Sequence, residues 1–499
     1  LSLVLVVGAA FSLRPPTGVT SAFLVALAIA ALVGIVLVLS KLRGSTGRVG
    51  TYLAVVVTVG AGAVIASWMA IGEVRNYDTG LYHLQLIALA ATEGTPAGIA
   101  QLHDRFGFTS SLWSIGGQFE VVAGSTVGFR LISGLFLILL VVEIVGRFAT
   151  QPMRARVGTW ILAVGFVPVA AYGISYAGRT FAGVGQDWIF AVLWLVATAY
   201  LADWLQYRRV ADVGTAIVVS ALAGSVRPFG WLLLVTVIVI ALVLRRASIR
   251  DGCVLWWAAI LTTLWITVTA VRDALASGWL LFPLGLFPFP VPWRLVDPSR
   301  TAEAVTMWAR APFDMESATS GWGWLSDWVV RMGTDWFVVW LICSLASAAI
   351  LIVFRSRATH VAGESERLTF LVILTVQCLA LGVWFASAPD PRFGWGPLAA
   401  LSGALVAWAA GPGIRQSISS RAGWVLWLPL GIVAVSVALS IARDPGWWFD
   451  RNLEGAPVPV VPVPVVDVEI INGIARTVGP DDRCWRTTVP CVPWYEDTN

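Results

Sequence analysis

Charged, hydroxyl and imidazole side chains are concentrated in one short stretch near residue 80. The stretch reads Glu73-Val-Arg75-Asn-Tyr-Asp78-Thr-Gly-Leu-Tyr82-His83-Leu-Gln85. A carboxylate beside an imidazole at a water-poor interface can accept a proton from a hydroxyl group. The pattern therefore predicts Asp78 as a general base, with Arg75, Tyr82 and His83 as substrate-binding groups.

Two other interpretations of Asp78 stay open. An aspartate that precedes a helix over residues 79–92 could be its N-cap, because the carboxylate accepts hydrogen bonds from free backbone N–H groups. Asp78 and His83 could also bind a metal, although they have no third ligand at a familiar spacing. The same loop adds His103 and Asp104, which a cap does not need. We include both as candidate binding residues. The sequence indicates no required cofactor, and it allows a divalent metal without indicating one.

A second polar turn occurs late in the chain, at Ala386-Ser-Ala-Pro-Asp390-Pro391-Arg392-Phe-Gly-Trp395-Gly396. Prolines on both sides of Asp390 restrict the backbone of the turn. The planar guanidinium of Arg392 suits the oxygens of a phosphate, so Asp390 and Arg392 are predicted substrate-binding residues. The alternative for Arg392 is a plain membrane anchor whose charge reaches the headgroups.

Three more charged residues lie at predicted ends of spans, namely Arg179, Asp187 and Arg227. Ionisable groups within a membrane usually pair with one another or face a polar cavity. For Arg179 and Asp187 we expect a salt bridge rather than a contact with substrate.

The composition defines the class of protein that must position these groups. The chain has 499 residues, of which 58% are hydrophobic and only 12% are charged, with a net charge of +4 and a mean hydropathy of +0.80. Soluble proteins carry about 25% charged residues. The composition therefore excludes a water-soluble enzyme, a disordered scaffold and a nucleic-acid-binding protein. It predicts an all-α, polytopic transmembrane helical bundle.

A membrane span needs about 20 mostly apolar residues, and about thirteen runs reach or approach that length. Basic residues cluster in short loops on one side, which indicates that this side is the cytoplasm. We expect a multi-pass protein of the bacterial cytoplasmic (inner) membrane, with a cytoplasmic N-terminus and an extracytoplasmic C-terminus. The runs are 1–13, 19–40, 50–72, 128–146, 157–176, 188–205, 213–227, 229–244, 252–271, 336–354, 368–385, 395–411 and 422–442.

The predicted transmembrane domain, residues 1–442, has two long outer loops, 73–127 and 272–335. The apolar segments 79–92 and 108–125 are short, so we expect outward-facing helices that lie in the membrane interface. A re-entrant hairpin or two extra spans are the alternative. The many aromatic residues of loop 272–335 are explained by an interfacial belt.

Residues 443–499 are predicted to form an extracytoplasmic tail. Its segment 456–466 consists almost wholly of Pro and Val, a composition that favours an extended strut. Cys484 and Cys491 flank a short loop in the oxidising compartment, which suits a disulfide.

Taken together, an acidic first outer loop, many spans and a late arginine-aromatic turn resemble the GT-C class of membrane glycosyltransferases. Four blocks also resemble an uncharacterised family of large bacterial multi-pass membrane proteins. The blocks are Tyr77-Asp-Thr-Gly-Leu-Tyr-His83, Leu102-His-Asp-Arg-Phe-Gly-Phe108, Ala388-Pro-Asp-Pro-Arg-Phe-Gly394 and Cys484-Trp-Arg-Thr-Thr-Val-Pro-Cys491.

The GT-C resemblance implies inverting transfer of a sugar from a polyprenyl-phosphate donor at the outer leaflet. Asp78 matches the position of the catalytic acidic residue of the class, and Arg392 matches its donor-phosphate contact. Many members of the class carry paired acidic residues in the first loop, whereas Asp78 stands beside Asn76.

The resulting hypothesis is a glycosyltransferase with a lipid-linked or cell-envelope glycan acceptor. Asp78 would be the base, His83 would orient it or bind the acceptor, and Arg392 would hold the donor phosphate. The expected partners are the polyprenyl-phosphate-linked sugar donor, a glycan or glycolipid acceptor and membrane lipids. The alternatives are a polymerase or ligase of lipid-linked glycans, a transporter or flippase of lipid-linked sugars, and a non-catalytic assembly protein.

Overall fold

The computed structural model describes most of the chain, and the structural statements below refer to that part. The described residues are 49–125, 127–149, 155–244, 252–312, 314–355, 363–420, 428–449, 467–471, 474–478, 485 and 491–492.

The described chain is predominantly helical, as predicted. The two short strands of a hairpin are β1 (Trp279–Leu281) and β2 (Leu286–Pro288). The helices are α1 (Val49–Ala70), α2 (Leu84–Thr92), α3 (Ser111–Ala123), α4 (Leu131–Ala149), α5 (Val157–Ser175), α6 (Gln186–Tyr207), α7 (Val210–Val226), α8 (Gly230–Val243), α9 (Gly252–Ser277), α10 (Ser299–Arg310), α11 (Met315–Thr319), α12 (Leu325–Thr334), α13 (Trp336–Arg355), α14 (Glu364–Ser387), α15 (Pro391–Ser420), α16 (Leu428–Arg443) and α17 (Pro445–Phe449).

Seven of the described helices are long and apolar enough to cross a membrane, namely α4, α5, α6, α9, α13, α14 and α15. The shorter apolar helices are α1, α7, α8 and α16. Each of these eleven helices falls on a predicted run, which confirms the prediction of a polytopic helical membrane protein. The predicted runs 1–13 and 19–40 lie outside the described residues.

Helix α6 lies at the centre of the bundle and is buried along most of its length. Glycines on its neighbours allow close approach: a Cβ atom at Gly165 of α5 would lie 2.5 Å from the Leu195 side chain, and one at Gly396 of α15 would lie 2.7 Å from Trp194. Small residues at helix contacts are the usual means of tight packing in membranes. The indole of Trp194 also donates to Oε1 of Gln377 on α14, at 2.8 Å.

Two arginines in one of the short basic loops that the sequence predicts are buried. Arg147 and Arg156 are only 2% and 1% exposed. An Nη1 atom of Arg147 lies 2.5 Å from the carboxylate of Asp203, which also accepts from the Gly158 N–H at 3.2 Å. These charges therefore join α4, α5 and α6.

The opposite end of the bundle carries residues 73–127 and 278–335, and we name it the loop face. Helices α2 and α3 occur where the sequence predicts them, but they are packed between protein segments rather than laid on a surface. Leu84 and Ile87 of α2 and Leu112 and Ile115 of α3 have no exposed area. Both helices are therefore covered by other parts of the protein, which their sequence does not predict.

The tail contributes α17 and a three-stranded sheet, β3 (Asp467–Ile471), β4 (Ile474–Val478) and β5 (Cys491–Val492), in which β3 and β4 are antiparallel and β4 and β5 are parallel. The strut 456–466 and the Cys484–Cys491 disulfide are predictions that lie outside the described residues. Trp485 packs on the first loop, where its backbone N–H donates to the Gly80 carbonyl at 2.8 Å. A Cβ at Gly80 would lie 2.9 Å from this indole.

Arg130 stabilises the loop face through buried hydrogen bonds to backbone carbonyl groups. Its guanidinium donates to the carbonyl oxygens of Ala70 and Gly72, at 2.9 and 2.6 Å, although the side chain is only 1% exposed.

Leucine in place of Arg130 would leave both carbonyl oxygens buried without this donor, which costs about 1–3 kcal/mol each. We expect Arg130→Leu to lower the thermal unfolding midpoint clearly, while Arg209→Leu, a change of an exposed arginine, leaves it near the parent value. Equal midpoints for the two variants would contradict this role.

Candidate active site at the loop face

The turn between α14 and α15 is fixed by hydrogen bonds as well as by its prolines. The Asp390 carboxylate accepts from the backbone N–H of Arg392 at 3.1 Å. The indole of Trp384 donates to the Asp390 carbonyl at 2.8 Å, and the indole of Trp328 donates to the carbonyl of Pro389. The position of Arg392 is therefore set by α12, α14 and the turn itself.

Asp78 is held by a different set of contacts. The amide of Asn76 donates to the carbonyls of Arg179 and Val184, at 3.1 and 3.2 Å. The Thr79 hydroxyl accepts from the Val184 N–H at 3.2 Å. Asp78 itself precedes a short π-helical turn, Thr79–His83, and makes no capping hydrogen bond with it. The N-cap interpretation of Asp78 is therefore wrong.

Arg392 meets three carboxylates that come from separate parts of the chain. Its Nη1 atom lies 3.3 Å from the carboxylate of Asp78. Its Nε atom lies 3.4 Å from Asp390 and 3.8 Å from Asp187, which is in the first turn of α6. The two loops that the sequence singled out are thus brought together.

Two further arginines complete the cluster. Arg227, which follows α7, lies 2.6 Å from the Asp187 carboxylate, and Arg105 lies 3.5 Å from that of Asp78. The expected pair of Arg179 and Asp187 is wrong, because Asp187 faces the end of α7 and the guanidinium of Arg179 lies over the Tyr176 ring, at 5.5 Å. We name the six residues the charge cluster: Asp78, Arg105, Asp187, Arg227, Asp390 and Arg392.

The cluster is half-buried, and Arg392 is its most accessible member. The exposed fraction of its side chain is 41%, compared with 22% for Asp78 and 18% for Asp187. Burial acts to raise the pKa of the Asp78 carboxyl, but the charges of Arg392, Arg105 and Arg227 together hold that pKa below its ordinary value. Asp78 is therefore an ionised carboxylate at neutral pH.

His83 and Tyr82 lie behind Asp78 and are almost fully buried. The His83 ring stacks on Trp113 with a centroid separation of 4.3 Å and meets the Tyr82 ring edge-on at 4.4 Å. Burial, opposed by the charge of Asp78, lowers the pKa of His83 to about 3. Burial and the charge of Asp78 raise the pKa of the Tyr82 hydroxyl. Both side chains are neutral near pH 7.

The remaining predicted site residues form ion pairs with partners outside the charge cluster. Arg75 pairs with Glu73 at 2.9 Å and also with Asp444, in an exposed position. His103 and Asp104 form their own contact at 3.1 Å. The part of the chain that the structure describes has no group of three His, Cys, Asp or Glu side chains that could hold a metal ion.

Sequence reasoning did not assign Arg105, Asp187 and Arg227 to the site. Arg105 stands in the same loop as Asp78, Asp187 stands at the start of an apolar run, and Arg227 precedes Pro228 at the end of another. For Asp187 and Arg227, the position at the end of an apolar segment could have indicated a role in the site, because an ionisable group in such a segment needs a partner.

The low pKa of His83 predicts a dependence of stability on pH. Between pH 6.5 and 3 the unfolded chain protonates this imidazole while the folded chain does not, so folded stability falls as the pH falls through that window. From pH 7 to pH 5 the loss is about 2 kcal/mol. We expect His83→Gln to remove this part of the slope in denaturant titrations at pH 5 and 7. An unchanged slope would contradict a neutral, buried His83.

These features define a polytopic helical membrane protein with a cluster of carboxylates and guanidinium groups at one end of its bundle. The family profile described as "Domain of unknown function (DUF8201)" matches residues 3–399. The chain therefore belongs to this family. Among curated proteins no sequence match is found.

Among solved structures, the chain is similar to the arabinosyltransferase EmbB from Mycobacterium smegmatis, determined by single-particle cryo-EM. The TM-score is 0.38 and the sequence identity is 15%, over 87% of this chain and 44% of the EmbB chain. The chain thus spans less than half the length of that enzyme. A similarity of this size carries no functional argument, so the function is argued from the charge cluster.

Proposed function

We propose that the protein is an inverting membrane glycosyltransferase that moves a sugar from a polyprenyl-phosphate donor to a lipid-linked or cell-envelope glycan acceptor. One observation carries the proposal: the guanidinium of Arg392 lies 3.3 Å from the carboxylate of Asp78. A group suited to bind phosphate therefore stands next to a group suited to accept a proton.

The reaction needs few protein groups. The acceptor hydroxyl oxygen forms a bond to the anomeric carbon of the donor sugar, and the bond from that carbon to the phosphate oxygen breaks. The polyprenyl phosphate leaves with the electron pair, and the hydroxyl proton passes to the Asp78 carboxylate. General-base assistance of this kind contributes about 10²–10⁴-fold to rate, and a guanidinium stabilises the charge that develops on the phosphate.

Donor binding would also prepare the base. In the free protein Asp78 is paired with Arg392 and Arg105. A phosphate that takes the exposed side of Arg392 competes with Asp78 for the guanidinium. Release of the carboxylate from Arg392 raises its proton affinity, because a nearby positive charge favours the ionised form. Arg105 would keep Asp78 ionised until the acceptor arrives.

The other charges of the cluster would hold Arg392 in place. Asp187 and Asp390 lie at its Nε side, and Arg227 neutralises Asp187. The Nη atoms, of which Nη1 contacts Asp78, are then the ones that would turn to a donor. We assign His83 and Tyr82 a positioning role, because both are buried behind Asp78. We also propose that Arg75, His103 and Asp104 contribute to binding of the acceptor.

Asp78 can be tested against a carboxylate of the same loop. Asp78→Asn keeps the size of the side chain but accepts no proton, so transfer from a panel of labelled polyprenyl-phosphate sugars should fall by about 10²–10⁴-fold. Glu93→Gln changes an exposed carboxylate fifteen residues later in the same loop and should leave transfer near the parent rate. Near-normal transfer by Asp78→Asn, with equal expression of both variants, would contradict a base at this position.

Arg392 can be tested through binding of polyprenyl phosphate alone. Arg392→Lys keeps the charge but loses the planar fork, and Arg392→Gln loses both. A charge-assisted hydrogen bond contributes about 1.5–3 kcal/mol, so Arg392→Gln should weaken binding by roughly 10- to 150-fold, with Arg392→Lys between it and the parent.

The matched control is Arg443→Gln, which removes an exposed arginine from the last turn of α16 at the same end of the bundle. It should bind polyprenyl phosphate as the parent does. If Arg392 is only a membrane anchor, Arg392→Lys is silent and Arg392→Gln lowers protein yield while affinity stays unchanged. That pattern would remove the phosphate role.

A further inference from the structure

A second polar site lies beside the charge cluster, around the side chain of Arg272 near the end of α9. Arg272 is only 2% exposed. Its Nη1 atom is 3.4 Å from the hydroxyl of Ser111 and 3.3 Å from that of Ser114. Its Nε and Nη2 atoms are buried and have no hydrogen-bond partner among the described residues. A buried guanidinium with open donors is costly unless something accepts from it.

Arg272 lines a cavity of about 30 Å³. A water molecule needs roughly 10–15 Å³ of such space, so the cavity has room for about two water-sized groups. The walls of this cavity are mostly apolar and include Leu86, Ile99, Phe106 and Trp113. One positive group therefore faces a small and mostly apolar space.

The first turn of α3 adds to the attraction for a negative group. Ser110 is the N-cap of this helix, and Ser111 and Ser114 lie in its first turn. The N-terminus of a helix carries partial positive charge that favours anions. The neighbouring Asp273 uses its carboxylate to accept a hydrogen bond from Thr109. The open donors of Arg272 thus remain available.

We propose that this cavity binds a carboxylate group, either of an acidic saccharide or of a free carboxylic acid. The Nε–H and one Nη2–H of a guanidinium form a parallel pair that matches the two oxygens of a carboxylate. A planar carboxylate directs both of its oxygens at this pair, whereas a tetrahedral phosphate also directs charged oxygens at the apolar walls. The apolar walls suit the carbon to which the carboxylate is attached.

The proposed site is distinct from the charge cluster, and Trp113 connects it to His83, which is not a member of that cluster. Trp113 lines the cavity and stacks on His83, at 4.3 Å between centroids. An occupant would therefore rest on the same indole that packs behind Asp78. Binding of a carboxylate does not require glycosyl transfer, so the two proposals can fail separately.

The test is thermal unfolding of the full chain in detergent, at constant ionic strength and pH 7. The added probes are acetate, acetamide, glucuronate, glucose and inorganic phosphate. A ligand that binds the folded state alone raises the unfolding midpoint in a saturable way. We expect stabilisation by acetate or glucuronate and none by acetamide or glucose. Tighter binding of glucuronate indicates an acidic saccharide, and equal or tighter binding of acetate indicates a free acid.

Three variants locate the effect. Arg272→Gln should weaken carboxylate binding by about 10- to 150-fold, and Arg294→Gln, which removes an exposed arginine nearby, should not. Ser114→Val keeps Arg272 and fills part of the cavity, so it should also weaken binding if Arg272→Gln fails to fold. Phosphate binding that equals acetate binding, carboxylate binding that Ser114→Val leaves unchanged, or no saturable effect of any anion on the parent overturns the proposal.

Discussion

The contact on which the loop face depends is the meeting of Arg392 with three carboxylates. Asp78, Asp187 and Asp390 belong to the first loop, to the start of α6 and to the turn before α15. Three negative groups so close together repel one another unless a cation lies between them. Arg392, with Arg227 and Arg105 beside it, balances their charge. The same residues that set the electrostatics of the site therefore also bring distant segments to one place.

Backbone anchoring makes this arrangement specific. Asn76 and Thr79 bind the segment around Val184, and the indoles of Trp328 and Trp384 bind the turn at residues 389–390. The cluster is thus built from two rigid supports, and the ion pairs form across the gap between them. In the proposed reaction a donor phosphate would exchange with Asp78 at Arg392 while both supports keep their hydrogen bonds.

The sequence predicted the helices and the two site loops, because long apolar runs and a Pro-Asp-Pro turn depend on local composition. It could not predict which charges meet. Arg179 is near Asp187 in the chain, yet the partner of Asp187 is Arg227, because the first turn of α6 faces the end of α7. Nor does an apolar segment reveal what covers it, so α2 and α3 were expected at a membrane surface although protein covers them. The pocket around Arg272 has no local sequence pattern.

The contact between Gly80 and Trp485 also constrains how the chain is threaded through the membrane. Two residues whose backbones share a hydrogen bond must lie in the same compartment. The chain between them therefore crosses the bilayer an even number of times, whichever compartment that is. Ten apolar helices among those described lie between them, α4–α9 and α13–α16, and a single crossing by each satisfies this parity. The backbone hydrogen bond between Trp485 and Gly80 thus constrains the number of membrane crossings that the chain makes between these two residues.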